Sequence, residues 1–239
     1  MRKIKQAIIL SAGLGSRMGE LTKDIAKPML LVDGISLIER NLIYLAHNSV
    51  EKVVINLYYK ADKLKEFVQS LAISKELEIC FSKEHELLGP GGGIKNALRF
   101  FDKKPFFVFN SDSFFEDIDE KNSCLTQLES KWNIDLMSTL LLTVKKQDAF
   151  GYYAKGDFDI NEADQLNQNN EVRNFIFSGA SIMDYRAFEQ YPEKILQLSP
   201  TMYQALMKID ELYGLVYQGK WYHIGDTKSY QEYKELLKT

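Results

Sequence analysis

The chain has 239 residues, of which 45% are hydrophobic and 26% charged, with a formal net charge of −3. That length suits one large domain or two small ones, and the mild acidity excludes a surface built to hold nucleic acid, so a phosphate site has to be a local cationic pocket. Its two cysteines, Cys80 and Cys124, form no C-x-x-C pair, which speaks against a zinc site or a disulfide framework.

The basic start, Met1 to Lys5, runs into Gln6-Ala-Ile-Ile-Leu10. Five residues are too short for a signal-peptide core, and no run of about 20 apolar residues occurs, so a cytoplasmic location and no membrane partner are expected. The same five residues predict a buried strand that feeds Ser11-Ala-Gly-Leu-Gly-Ser-Arg17. Gly13 and Gly15 allow a tight turn in which backbone N–H groups approach an anion. Arg17 and Lys27 add cations, and two cations beside a glycine turn repel each other unless an anion lies between them. Met18 breaks the G-x-G-x-x-G fingerprint, which counts against a dinucleotide-dependent oxidoreductase, and no window supplies the P-loop pattern. An ordinary strand-to-helix turn is the competing reading.

Ser36-Leu-Ile-Glu39 is a capping-box pattern that opens a helix to about His47. Val53–Leu57 reads as a strand. Leu64, Phe67, Val68 and Leu71 give one face to a helix over Ala61–Leu71, and Leu77–Phe81 reads as a third strand. This alternation predicts an α/β fold: a Rossmann-like three-layer α/β/α sandwich around a mixed, mainly parallel sheet. Gly91, Gly92 and Gly93 read as a loop before a helix over Ile94–Phe101, a second place for a ligand to touch backbone, or else a lid. Pro105-Phe-Phe-Val-Phe-Asn-Ser-Asp112 is a strand ending in a carboxylate, placed to hold a hard cation or to cap the next turn.

Leu136–Val144 predicts another strand, and the polar stretch 149–170 predicts hairpins that open a smaller substrate-facing part. Ser178-Gly179, inside the strand Phe175–Ile182, reads as a bulge. Ser199 starts a helix with Met202, Leu206 and Ile209 as its core face. Strands over Tyr213–Tyr217 and Lys220–Gly225 precede a last helix, Thr227–Leu237. One domain is expected over 1–239, in two halves that divide at about 145/146, the second being the smaller substrate-facing part.

The run A-G-L-G-S-R-M from Ala12, followed by K-P-M-L-L-V-D-G from Lys27, resembles the signature of the sugar-1-phosphate nucleotidyltransferases. The similarity runs from Lys5 to about Leu236 and is nearest the short N-acetylmuramate-1-phosphate uridylyltransferases and mannose-1-phosphate guanylyltransferase-like enzymes. It implies a transferase that joins a nucleoside triphosphate, UTP above all, to a sugar 1-phosphate, with Mg²⁺ as cofactor and peptidoglycan recycling as the setting. Ala12, Gly13, Gly15, Arg17 and Gly91–Gly93 would bind nucleotide, with Arg17, Lys27 and Asp112 catalytic. Asn110, Ser178 and Gly179 would meet the sugar, and Asp112 with His223 would hold the metal. Two departures stand out: Pro90 replaces a threonine, and W-Y-H-I-G-D-T puts His223 where the pattern W-x-D-x-G-T has aspartate. Asp226 or water could complete the metal shell instead. Guanylyl transfer to mannose or heptose 1-phosphate, cytidylyl transfer to phosphocholine and a non-catalytic nucleotide-sugar binder are the alternatives.

Overall fold

The structure, a computed structural model, describes residues 3–238. Met1 and Arg2 of the basic start lie outside the described residues. Strand β1 (Gln6–Leu10) leads into the glycine loop, and two-residue strands β2 (Leu31–Val32) and β3 (Ile35–Ser36) form a small hairpin before helix α1 (Leu37–His47). Then come β4 (Lys52–Leu57), α2 (Ala61–Ser70), β5 (Glu78–Lys83), α3 (Gly89–Ala97), β6 (Phe106–Asn110), β7 (Ser113–Asp117) and α4 (Cys124–Lys131). The second half holds β8 (Thr139–Lys145), the short hairpin β9 (Asp159–Ile160) and β10 (Leu166–Asn167), β11 (Phe175–Met183), α5 (Tyr203–Lys208), β12 (Leu212–Val216), β13 (Gly219–His223) and α6 (Thr227–Leu236).

Seven strands form one sheet in the order β12-β8-β11-β6-β1-β4-β5. Its ladders are parallel except the two that β11 makes with β6 and β8. The expected three-layer α/β/α sandwich with a mixed, mainly parallel sheet is the fold observed. Alternate residues of β1 explain the layering. Ala7 and Ile9 join the core under α1, α2 and α4, whereas Ile8 joins the core under α3 and α5. Phe107 and Phe109 of β6 face the first layer, and Phe106 and Val108 the second. Strands covered on both faces have to be apolar throughout, which is why β1 and β6 read as continuous runs. Each fully buried aromatic or branched side chain contributes about 1.5–3 kcal/mol, so this double layer dominates the stability.

Several elements differ from expectation. Helix α3 starts at Gly89, not Ile94, so the three glycines lie inside it and are buried. A Cβ on Gly91 would fall 2.9 Å from the Leu196 carbonyl, and one on Gly93 2.6 Å from Asn56 Nδ2. The glycines allow α3 to pack closely, and that packing outweighs their poor helix propensity of about 1 kcal/mol each. Strand β7 and helix α4 were not anticipated; β7 pairs antiparallel with β13, joining residues about a hundred positions apart. Ile209 ends α5 at 53% exposure rather than on its core face.

Candidate active site

The chain passes from β1 to β4 on one side and returns to β6 on the other, so the carboxyl ends of β1 and β6 flank the switch point where open α/β sheets bind ligands. A cleft of about 420 Å³ opens there, lined by the glycine loop, Lys27, Asn110, Ser111, Asp112 and Gly225, and by Glu84, Leu87, Gly89, Pro90 and Gln197. Its floor follows the sheet edge from Asp112 beyond β6, through Ser11 beyond β1 and Asn56 on β4, to Glu84 beyond β5. Three strand spacings separate its ends, about 14 Å.

At the centre, Gly15 adopts a left-handed φ of 67° with its Cα close to Lys27, where a Cβ would sit 3.2 Å from Lys27 Cβ. Its carbonyl accepts from Met18 N at 2.9 Å and Thr22 Oγ1 at 3.1 Å, which fixes the turn. The amides of residues 12–15 find no acceptor among the described residues. Nothing lies within 4 Å of the place a Gly13 Cβ would take. Arg17 stands exposed beside this loop. Together these groups form an open turn of unpaired N–H donors beside a cation, an arrangement with the chemistry to receive an anion.

At the β6 end, Lys27 Nζ donates to Asp112 Oδ2 at 2.7 Å and to the Gly225 carbonyl at 3.0 Å. His223 Nε2 stands 3.5 Å from the same carboxylate oxygen. Burial alone would push the Asp112 carboxyl up; the Lys27 ammonium and His223 outweigh it and hold the group well below the usual carboxylate range. The His223 ring stacks on Trp221, with centroids 5.7 Å apart and planes at 5°. Its Nδ1 lies 3.0 Å from the Gly151 carbonyl, an acceptor only, so Nδ1 carries the proton and Nε2 faces Asp112. Asp226, the other candidate ligand, caps α6 instead: its Oδ1 accepts from Ser229 N at 2.8 Å and Ser229 Oγ at 2.9 Å.

A divalent metal would find few protein ligands here. Among the described residues no set of three or more histidine, cysteine or acidic side chains converges. One carboxylate with a free Oδ1, plus one imidazole, suits an ion that keeps water and takes its remaining ligands from substrate phosphates, as Mg²⁺ does. The donor set fits such an ion, with a nitrogen ligand that favours softer metals.

Further along, Glu84 holds two neighbours in place. Its Oε1 accepts from Asn56 Nδ2 at 2.7 Å and its Oε2 from Leu88 N at 3.2 Å, while Asn56 Oδ1 accepts from Ser11 N at 2.6 Å. Burial raises the Glu84 carboxyl. The glycine loop and the start of α3 are thereby tied through one carboxylate.

Of the residues expected to bind ligand, Ala12, Gly13, Gly15, Arg17, Lys27, Asn110 and Asp112 all line the cleft. Gly91, Gly92 and Gly93 lie behind its wall, within α3, and Gly89 and Pro90 present the surface instead. Ser178 is fully buried, its hydroxyl given to the Leu142 carbonyl at 2.8 Å. Gly179, at φ 86°, makes a bulge, and a Cβ there would meet Asn110 and Ser113 at 2.9 Å. That pair shapes the support of Asn110 rather than the cleft surface. Gln197 lines the cleft without any sequence signal pointing to it.

Comparison with known proteins places the chain in a family. The sequence model of the nucleotidyl transferase family matches residues 6–239. The N-acetylmuramate alpha-1-phosphate uridylyltransferase of Caulobacter vibrioides is 30% identical over 230 residues, 94% of this chain and 93% of that one. The D-glycero-alpha-D-manno-heptose 1-phosphate guanylyltransferase of Campylobacter jejuni is 33% identical over 159 residues, 66% of this chain and 65% of its own length. Among solved structures, HddC from Yersinia pseudotuberculosis complexed with GMP-PN superposes with a TM-score of 0.79 at 27% identity, covering 98% of this chain and all of the other. The chain belongs to the nucleotidyl transferase family, among its sugar-1-phosphate nucleotidyltransferases.

Proposed function

We propose that this member of the nucleotidyl transferase family takes UTP and N-acetylmuramate 1-phosphate, or a similar hexosamine 1-phosphate, and releases pyrophosphate. One observation carries the reading: four unbonded loop amides, Arg17, Lys27 and Asp112 meet in one cleft at the sheet's switch point. A phosphate oxygen of the sugar 1-phosphate attacks the α-phosphorus of the triphosphate. The bond from that phosphorus to the β-phosphate bridging oxygen breaks, and pyrophosphate carries away the electron pair. Both reactants are anions, so neutralising charge and aligning the two phosphates are the main tasks, and no covalent protein intermediate is required.

The amides of Ala12, Gly13 and Gly15, with Arg17, hold the β- and γ-phosphates. Lys27, poised between Asp112 and the Gly225 carbonyl, neutralises charge at the α-phosphate or the incoming sugar phosphate. Asp112 Oδ1 and His223 Nε2 would hold Mg²⁺, which when bound screens phosphate charge and templates both reactants. Asn110, propped by the Gly179 bulge, meets the sugar, and the half from about residue 146 surrounds it. The proposed setting is the cytoplasm, where a cell-wall sugar would return to the nucleotide-sugar pool. Among the described residues no helix is long and apolar enough to cross a membrane.

Guanylyl transfer to a heptose or mannose 1-phosphate is the second reading, favoured by the likeness to the GMP-PN complex. A pyrophosphate-release screen of four triphosphates against N-acetylmuramate, N-acetylglucosamine, mannose and heptose 1-phosphates separates the two. UTP with N-acetylmuramate 1-phosphate is expected to give the highest kcat/KM. A higher value for GTP with heptose or mannose 1-phosphate selects the second reading, and no release from any pair overturns both.

A further inference from the structure

The stretch 190–198 lies as a strap across the first turns of α3. Gly92 N donates to the Leu196 carbonyl at 3.0 Å, and Leu196 N donates to the Leu88 carbonyl at 2.9 Å. Lys95 Nζ reaches the Glu193 carbonyl at 3.1 Å. The buried glycines make this contact achievable: a Cβ on Gly92 would strike the Lys194 carbonyl, and one on Gly91 would meet Leu196 at 2.9 Å. Leu196 and Leu198 plug into the core at 3% and 6% exposure. Gln197, between them, therefore points the other way, into the cleft.

Its backbone is held, since its carbonyl accepts from Met202 N at 3.3 Å. Its carboxamide has no hydrogen-bond partner among the described residues. It stands against Gly89, where φ is +72° and a Cβ would fall 2.5 Å from Gln197 Nε2. This end of the cleft differs in chemistry from the cationic end. Leu87, 43% exposed, and Pro90 offer apolar surface. Glu84 and Asn56 are committed to each other, to Leu88 N and to Ser11 N. Among the described residues lining this end, Gln197 is thus the side chain with uncommitted donors and an uncommitted acceptor.

We propose that Gln197 reads the edge of the nucleobase of the bound triphosphate. The proposal rests on the nucleotidyl-transfer reading above. With phosphates in the cradle beyond β1, what remains toward β5 is an apolar slot closed by one carboxamide. A flat heterocycle carrying a donor beside an acceptor on its edge matches that slot; a hydroxyl-rich sugar does not. Sites that hydrogen-bond a ligand edge reject analogues whose edge leaves the protein group unpaired.

The test uses the full chain as wild type, Gln197→Ala and Gln197→Glu. Calorimetry measures binding of UTP, GTP, CTP, ATP and inorganic tripolyphosphate, and steady-state kinetics gives KM for the sugar phosphate. Gln197→Ala is expected to weaken the preferred nucleotide about tenfold and to narrow the spread among the four, the scale of losing one well-made hydrogen-bonded contact. Tripolyphosphate affinity and sugar-phosphate KM should stay within about twofold. Gln197→Glu offers acceptors alone, so the GTP-to-UTP affinity ratio should rise several-fold, because guanine presents N1–H and the N2 amino group side by side. An unchanged spread in Gln197→Ala overturns the proposal and leaves nucleotidyl transfer intact. Equal losses for nucleotides and tripolyphosphate overturn it too, by assigning Gln197 a structural role in the strap. A wild type that binds neither tripolyphosphate nor any nucleotide overturns the underlying reading with it.

Discussion

The chain uses glycine runs in two places for opposite ends. At Gly13 the absent side chain leaves open space, and at Gly15 it lets the turn close on Lys27 at a left-handed φ; the loop amides have no acceptor among the described residues, and Arg17 and Lys27 stand beside them. At Gly91 to Gly93 the absent side chains are filled by other parts of the protein, the strap at 194–197 on one side and Asn56 with Glu84 on the other. On the proposed reading the first run serves a ligand, while the second serves packing. Composition cannot distinguish them; what distinguishes them is whether a strand's carboxyl end or a helix interior receives the run.

The largest expected effect falls on the first region. Lys27→Ala should lower kcat by about 10²-fold or more, the scale of losing one preorganised charge donor. Pyrophosphate release measures this, and a wild-type kcat would sink the cradle reading. The comparison itself is sharpened by a pair of methyl groups. Gly92→Ala drives a Cβ into the Lys194 carbonyl and should destabilise by about 1–3 kcal/mol, the usual cost of overpacking. Turnover per folded molecule should change far less. Gly13→Ala meets no protein atom, so its stability should stay within about 0.5 kcal/mol while turnover falls about tenfold or more as the methyl displaces phosphate. Urea melts and turnover on the same preparations give both axes. If the two variants lose stability equally, the two runs are not distinct in kind.

A smaller effect concerns acid stability at the β6 end. Asp112 has its folded pKa held below the unfolded value of about 3.9 by Lys27 and His223, against burial. Its contribution to stability is present above that unfolded value and is lost as pH falls toward the folded one. Wild-type urea midpoints should therefore fall more steeply below about pH 4 than those of Asp112→Asn, with parallel curves above about pH 5. Parallel curves throughout the acid range would remove the ion pair as the cause.

Much of this was legible in the sequence, and the exceptions share a cause. Strands β1, β4 and β6, helices α1 and α2 and the carboxylate Asp112 follow from local periodicity and punctuation, and they set the switch-point cleft. The start of α3 was hidden because Gly-Pro-Gly-Gly-Gly opposes a helix locally, and only the distant strap reverses the balance. Strand β7 was missed because its partner β13 lies about a hundred residues away. Ser178 reads as an available hydroxyl, but the bulge at Gly179 turns it toward Leu142. Asp226 reads as a free carboxylate until Ser229 claims it as a helix cap. Gln197 has no motif, since its meaning comes from what stands across the cleft.

His223 marks the finest difference between the two kinds of region, because here glycines serve a side chain. Gly225 passes so close to the His223 ring that a Cβ would collide with it, and Gly151 closes on the His223 carbonyl while supplying the acceptor for Nδ1. Trp221 fixes the ring plane. The orientation of Nε2 toward Asp112 is therefore determined by three neighbours, more than a surface packing role requires. If Nε2 binds the metal, the site prefers softer ions than a two-carboxylate site does. His223→Asp should then lower the ratio of Mn²⁺- to Mg²⁺-supported turnover by roughly three- to tenfold, and His223→Ala should weaken activation by both ions. Titrating each metal against turnover in the three proteins measures this. Identical metal preference and half-saturation in all three would leave His223 as a packing residue and assign the metal to Asp112, water and phosphate alone.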